Sequence, residues 1–587
     1  MASFTSLLTV TFLLGIIPIL RRIRRIYINY QLAKPTGLHI IIVPLDPYGI
    51  VWQAGSRLFT PILQHFDWCR ILDLSWTWED GSIRHEKYGD NFIVVSPAMN
   101  VLYTSDKFAI EEVLAKRKIF VKPKLYGESE CSVSKTDFLR ILTMIVSGLV
   151  NGEEWSRHRK ITAPCFNERV SGFVWNESIR QSQAMLAQWL SQPGGRISKM
   201  VDDTRIVALH VLTAAGFGVQ HDFVSGARVT APGHKLSHRD TLMILLNNII
   251  TTMIVTPHES FFDKTAMLLG PRLKGILLAL KEFRQYTNEA MASERKLLSE
   301  ERGSLKHNLM STLIRTSDQA KTDGVQSAAK LSDDEIRGNI FIFNVAGHDT
   351  VANTLAYAFA LLAIHPEVQT WVVEEIDQVT RDANTPEYER AYPHLKRVMA
   401  VMYETLRMFG PVPQIPRGIT TPNIPLTISC PDSTTSSSST TVLLIPPNTQ
   451  VNLNIHAMHT SPSAYPSPKV WNPKRWITST APATQPASSL SSILQNEKLV
   501  HMERGFAPWA SGPRVCPGMK FAQVEFSAAL ATVLRRAWIA PSIKGGGDAE
   551  ETAARKEVEA LLRDSHHIGA TISMKRPEDL WLKVTRR

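Results

Sequence analysis

The chain opens with an uncharged stretch, residues 2–20 (A-S-F-T-S-L-L-T-V-T-F-L-L-G-I-I-P-I-L), just long enough to cross a bilayer as a helix. Arg21, Arg22, Arg24 and Arg25 follow this stretch instead of preceding it, and no A-x-A-like cleavage site is evident. That order is the reverse of a cleavable signal peptide. It predicts an uncleaved N-terminal transmembrane helix, residues 1–20, with everything after Arg21 in the cytosol; Pro18 and the short length leave a monotopic or partly inserted helix as the alternative. Residues 21–80 then read as a basic stop-transfer, a hinge at Lys34-Pro35-Thr36-Gly37 and the start of the body. The apolar stretch Leu38 to Val43 either begins the fold or touches the membrane again. From about residue 80 short strand-like segments such as Asn91 to Ser96 alternate with helical ones, and helix dominates.

Three helical patterns matter most. The longest runs from Ser332 to Ile364: Ser332 followed by Glu335 makes a capping box, and His365-Pro366 closes the far end. Such a helix would be roughly 50 Å long, enough to cross a large domain. A second runs from Leu395 to Met408, and a third carries Phe521, Val524, Phe526, Ala528, Leu530 and Leu534 at helical spacing. The run Thr241 to Val255 is apolar but too short to span a bilayer and is interrupted by Asn247 and Asn248; it reads as a core or membrane-dipping helix. The segments 431–441 and 478–492 and the region around Gly545 to Gly547 lack the apolar residues needed to offset ordering entropy, and the first two are expected to be disordered insertions in a body of 81–587.

Composition narrows the class. With 587 residues the chain can bury a large core, and a net charge of +11 is modest at that size. The densest basic cluster follows the apolar N-terminus, which fits a membrane surface better than nucleic acid. Five dispersed cysteines with no C-x-x-C pair argue against a disulfide scaffold or a structural zinc site.

One cysteine stands apart. In Phe506 to Gly518 (F-A-P-W-A-S-G-P-R-V-C-P-G) Gly512-Pro513 forces a turn, and Arg514 and Cys516 sit two apart, on one side if the backbone is extended. Cys516 precedes the third helix, whose positive dipole end, together with Arg514, would favour a thiolate able to bind a metal. Three other patterns carry chemistry. Ala346 to Thr350 (A-G-H-D-T) interrupts the longest helix with Gly347, an acid and a hydroxyl that can take a backbone carbonyl from the ladder. A local opening is expected there. Glu404 and Arg407 share a helix face, and Arg475 in V-W-N-P-K-R-W could complete a network with them. Trp155 and Arg159 in G-E-E-W-S-R-H-R-K are i,i+4 neighbours offering an indole N–H beside a guanidinium to an anion. Taken singly, each has an ordinary alternative: a buried free cysteine, an exposed polar patch, a surface ion pair, a solvated basic face.

Taken together and in this order, W-x-x-x-R, A-G-x-D-T, E-x-x-R, P-x-R-W and G-x-R-x-C-x-G resemble the cytochrome P450 family of haem-thiolate monooxygenases. The wording around Cys516 is similar to fungal members of biosynthetic pathways, and the N-terminus to endoplasmic-reticulum members. The resemblance implies a mainly α fold with small β-sheets and a haem b whose axial ligand is Cys516, the thiolate assisting O–O cleavage. It also implies propionate binding by Arg514, Trp155 and Arg159, with Arg417 as a weaker candidate. Asp349 and Thr350 would relay protons, Ala346 and Gly347 would leave room beside the iron, and Glu404, Arg407 and Arg475 would form a structural brace. Trp509 stands where the family loop usually has Phe and would shield the sulfur; Ala510 replaces a common Gly, and Lys474 fills a usually acidic position.

The expected activity is insertion of one oxygen atom from O2 into an apolar or amphipathic small molecule, with electrons from NADPH through a cytochrome P450 reductase and cytochrome b5 as a further partner. The expected setting is the endoplasmic reticulum membrane. Two rival readings are a haem-thiolate isomerase or dehydratase, which has no use for the Asp349-Thr350 relay, and a non-catalytic, membrane-tethered haem-binding protein.

Overall fold

The computed structural model describes residues 2–47, 49, 66–73, 75–123, 151–225, 230–248, 251–252, 255, 262, 270–299, 308–322, 331–381, 386–430, 439–480, 489–500, 504–544, 551–568 and 571–587, without the side chains of 2–15, 298–299, 316, 318–322 and 566–568. The chain forms two compact units. One comprises Met1–Cys131, Val412–Val470 and Met502–Cys516; the other comprises Ser132–Pro411, Trp471–His501 and Pro517–Arg587.

The first unit is built on a six-stranded sheet in the order His39–Ile42, Asn91–Val95, Asn100–Thr104, Thr449–Asn454, Gln414–Ile419, Phe120–Val121. The stretch 38–43 therefore starts the fold, with His39 to Ile42 running parallel to Phe92 to Val95. Asn91–Val95 is buried on both faces, which explains its nearly unbroken apolar sequence. Helix α1 (Ala2–Ala33) continues through the arginines without a break, and Ile26, Tyr30 and Ala33 join the sheet's core. Buried Asn29 fixes it there: its amide donates to the Ser96 carbonyl (2.9 Å), and its own carbonyl accepts from Asn100 (3.0 Å). The hinge at 34–37 is a 3-10 turn, Lys34–Thr36, ended by Gly37 at φ 70°, a conformation natural to glycine. Ile17, Ile19, Leu20, Ile23 and the four arginines are exposed, and among the described residues no single helix is long and apolar enough to cross a membrane.

Helix α2 (Lys107–Ala115) starts at Asp106, which accepts from the backbone N–H groups of Phe108 (2.8 Å) and Ala109 (3.1 Å). The other Asp106 oxygen accepts from Ser429 N and Glu112 from Thr427 N, so two carboxylates hold the hairpin Ile424–Ser429/Thr440–Ile445. Of the expected insertions, 431–438 and 481–488 lie outside the described residues. Their flanks are regular: Thr440 and Thr441 begin a strand, Ile477–Ser479 pairs with Glu497–Leu499, and Leu490–Asn496 is helical.

The second unit is mainly helical. Its elements include α3 (Gly152–Thr162), α4 (Glu168–Leu190), α5 (Met200–Phe217), α6 (Asp333–Ile364), α7 (Lys396–Phe409) and α8 (Met519–Leu534). Both halves of the α6 capping box form, Ser332 Oγ accepting from Glu335 N (3.2 Å) and Glu335 from Ser332 N (2.7 Å). Every residue from Val351 to Ile364 is buried, so this half of the helix shows no polar face. The apolar run beginning at Thr241 belongs to the core: Leu242, Leu245 and Leu246 of helix His238–Asn247 pack with Ile276, Leu280 and Phe283.

The Glu404 network forms as the spacing predicts, with additional members. Arg407 donates twice to Glu404 (2.9 and 2.8 Å), and Arg475 Nε, Trp476 Nε1 and the Asn472 backbone N–H add bonds of 3.0, 2.9 and 2.9 Å. Glu404 and Arg407 are both fully buried, so the carboxylate ties α7 to the segment 472–476 with charge neutralised in place. Glu404→Gln is expected to lower the unfolding free energy by about 3–5 kcal/mol, because it strands a buried guanidinium. Denaturant titration reads this, and a loss under about 1 kcal/mol, typical of an exposed pair, would contradict the brace.

Candidate functional site

The cysteine loop belongs to the first unit. Gly505 and Gly512 have φ of 91° and 67°, and a Cβ on Gly512 would sit 2.7 Å from the Leu114 carbonyl oxygen at the end of α2. Glycine there lets the loop backbone lie against the helix. The Tyr465 hydroxyl donates to the Gly505 carbonyl (2.9 Å), His459 Nε2 accepts from Ala507 N (3.0 Å), and the Cys516 N–H donates to the Trp509 carbonyl (3.0 Å). The loop is thus closed on itself and pinned by two side chains, leaving Cys516 exposed. Gly512–Arg514 is a 3-10 turn, and Val515, between Arg514 and Cys516, is extended at φ −53° and ψ 145°. Cys516 does precede a helix, α8, whose N-cap is Gly518.

Around this loop the first unit gathers cations, Arg417 buried and Lys122 and Arg514 half-buried. Burial, then the Arg514 and Arg417 charges, pushes the Lys122 ammonium down to about 8. Burial, then Arg514, takes Arg417 to about 10, and burial, then Arg117, takes Arg514 to about 10. Arg417 is 5% exposed and donates to the Pro416 carbonyl. Cations that depress one another in a buried region favour an anion, and a molecule with two carboxylates and a soft metal fits this donor set of guanidinium, ammonium and thiol. Lys122 escaped the sequence reading, since nothing in V-K-P-K distinguishes it from a surface lysine.

The second unit carries the acid and hydroxyl. Helix α6 passes through Ala346 to Thr350 without opening. Thr350 Oγ1 donates to the Ala346 carbonyl (2.9 Å) alongside the ladder, which leaves its lone pairs able to accept. Ala346, one turn earlier, is exposed. At Gly347 a Cβ would meet Leu212 Cδ2 of α5 at 3.1 Å, so the glycine permits close helix packing. Asp349 has the partners its environment demands, the Thr571 hydroxyl and Arg205 Nε of α5, the latter 3.6 Å from Oδ1. One and two turns on, Asn353 donates to the Ile572 carbonyl (3.0 Å) and the Tyr357 hydroxyl to Ser565 (2.7 Å). Positions 349, 353 and 357 thereby dock α6 on the hairpin Ser565–Ile568/Thr571–Met574. Neither Arg205 nor Thr571 has a local signal that marks it as a partner of Asp349. Trp155 and Arg159 lie on α3 as expected, both half-buried.

The sequence model of the family described as Cytochrome P450 matches residues 82–542. Curated relatives include a cytochrome P450 monooxygenase of Arthrobotrys oligospora, 29% identical with 87% of each chain covered. Another, from Penicillium rubens, is 28% identical with 86% of each covered. The cytochrome P450 monooxygenase of the phomenoic acid biosynthesis cluster of Leptosphaeria maculans is 27% identical over 94% of this chain and 95% of its own.

Ala510, noted as a replacement for glycine, has φ 57°, where a Cβ is crowded by the backbone. Ala510→Gly is expected to raise stability by about 1 kcal/mol. Thermal unfolding of the two proteins checks it; an unchanged or lower midpoint would show that the loop is not strained there.

Proposed function

The chain belongs to the cytochrome P450 family of monooxygenases, and from that premise we propose that it inserts one oxygen atom of O2 into an apolar or amphipathic intermediate of a fungal secondary-metabolite pathway. Family membership implies a haem-thiolate iron, and Cys516 is the ligand we assign to it. The haem supplies the oxygen-activating redox chemistry; the protein's residues hold it and manage protons. Arg514, with Arg417 and Lys122 beside it, and the Trp155 and Arg159 of the family motif W-x-x-x-R are the residues we assign to its propionates, through charge-assisted hydrogen bonds. Trp509, whose carbonyl accepts from the Cys516 N–H, is the proposed shield of the sulfur.

The observation that carries the oxygen-inserting reading is the acid and hydroxyl on α6. Asp349, held by Thr571 and Arg205, keeps a titratable group next to Thr350, whose oxygen can accept a proton-bearing partner while its own hydrogen is engaged by Ala346. An isomerase or dehydratase has no need of such a relay. Electrons would come from NADPH through a separate reductase. An anchor at residues 2–20 in the endoplasmic reticulum membrane is supported by the exposed apolar side chains of α1 and the arginines that follow them.

The test is isotopic. The metabolite that accumulates when the gene is deleted, incubated with the full-length protein, reductase, NADPH and 18O2, should yield a product carrying one 18O atom, and Thr350→Ala should consume NADPH with little product. Product bearing oxygen from water, or none, would overturn the proposal.

A further inference from the structure

Two residues between Trp155 and Arg159 have no part in the function above: His158, which α3 buries, and Arg157, which is half-buried. The guanidinium of Arg157 makes a two-pronged contact with Glu335 in the first turn of α6, Nη1 lying 3.1 Å from Oε2 and Nη2 closing on Oε1. His158 is 2% exposed. The Asn339 amide nitrogen lies 3.1 Å from its Nδ1, and its Nε2 lies 3.4 Å from Glu335 Oε1 and 3.5 Å from Arg157 Nη2. Asn339 is in turn fixed by donation to the Glu335 carbonyl (2.7 Å). Glu335 thus caps α6 and receives two side chains of α3. Burial alone would raise its carboxyl, but the His158 and Arg157 hydrogen bonds hold it well below the usual carboxylate range. Glu154 comes within ligand distance of His158 and Glu335, but the Arg157 guanidinium already supplies the positive charge a metal would bring.

We propose that Arg157, His158 and Glu335 form a clamp that sets the rotation and height of α3, and so positions Trp155 and Arg159 toward the haem propionates. Helical geometry carries the argument. Residues 157 and 158 lie on the turn that 155 and 159 bracket, so fixing them to α6 fixes the directions of the other two. Arg suits the task because its planar fork meets a carboxylate in one orientation, whereas a lysine would pivot. The inference rests on the assignment of Trp155 and Arg159 to the propionates.

The test measures haem transfer from the holoprotein to an excess of apomyoglobin. Arg159→Gln tests the underlying assignment and should speed haem loss. Glu335→Gln and Arg157→Gln should each speed it about fivefold, the double variant no further than the worse single, and Arg157→Lys should recover only part. Ser332→Ala weakens the α6 cap but keeps the ion pair, and should lower the melting temperature with haem loss unchanged. Fast loss in Arg159→Gln with wild-type loss in Glu335→Gln would overturn the clamp alone. Wild-type loss in Arg159→Gln would overturn the propionate assignment and the clamp with it. Fast loss in Ser332→Ala would assign the effect to helix stability and also overturn the clamp.

Discussion

A carboxylate taken out of water needs donors on nearly all its lone pairs, and in the second unit that requirement fixes how the principal helices are held. Glu404 gathers five hydrogen bonds and fastens α7 to the chain before residue 477. Glu335 fastens α3 to α6. Glu375 accepts from the first backbone N–H groups of α7, at Arg397 and Val398, and burial still pushes its carboxyl up to about 8. Asp349 brings together α5, α6 and the C-terminal hairpin. In each case a helix position that would otherwise be free to slide is set by an acidic side chain and the donors that face it.

The first unit presents the complementary situation. There Asp106 and Glu112 accept from backbone N–H groups, whereas buried Arg417 and half-buried Lys122 and Arg514 are each pushed down by a neighbouring cation. The loop bearing Cys516 belongs to the same unit, and the proposed propionates would bring negative charge to these cations.

What could be read in the sequence was what local rules determine. The ends of α6 follow from Ser332, Glu335 and His365-Pro366, and Glu404 and Arg407 pair because three residues make most of a turn. The family resemblance followed from the order of such motifs. What could not be read depends on distant pairing: Thr571 lies 222 positions from Asp349 and Glu335 lies 178 from Arg157, and no periodicity links them. Gly347 was conspicuous in the sequence, but the close approach of Leu212 of α5 to it depends on packing between distant segments. Ala510 was noticed as a departure, and its positive φ supplies the energetic meaning.

The central claim is that the loop closed by Gly505, Gly512 and the Cys516–Trp509 hydrogen bond exists to present one sulfur to iron. The most direct test is the reduced carbon-monoxide spectrum of the wild-type protein and of Cys516→Ser. The wild type should show the red-shifted Soret band of a thiolate-ligated haem and the variant should lose it. A wild type without that band, or a variant that keeps it, would contradict the account.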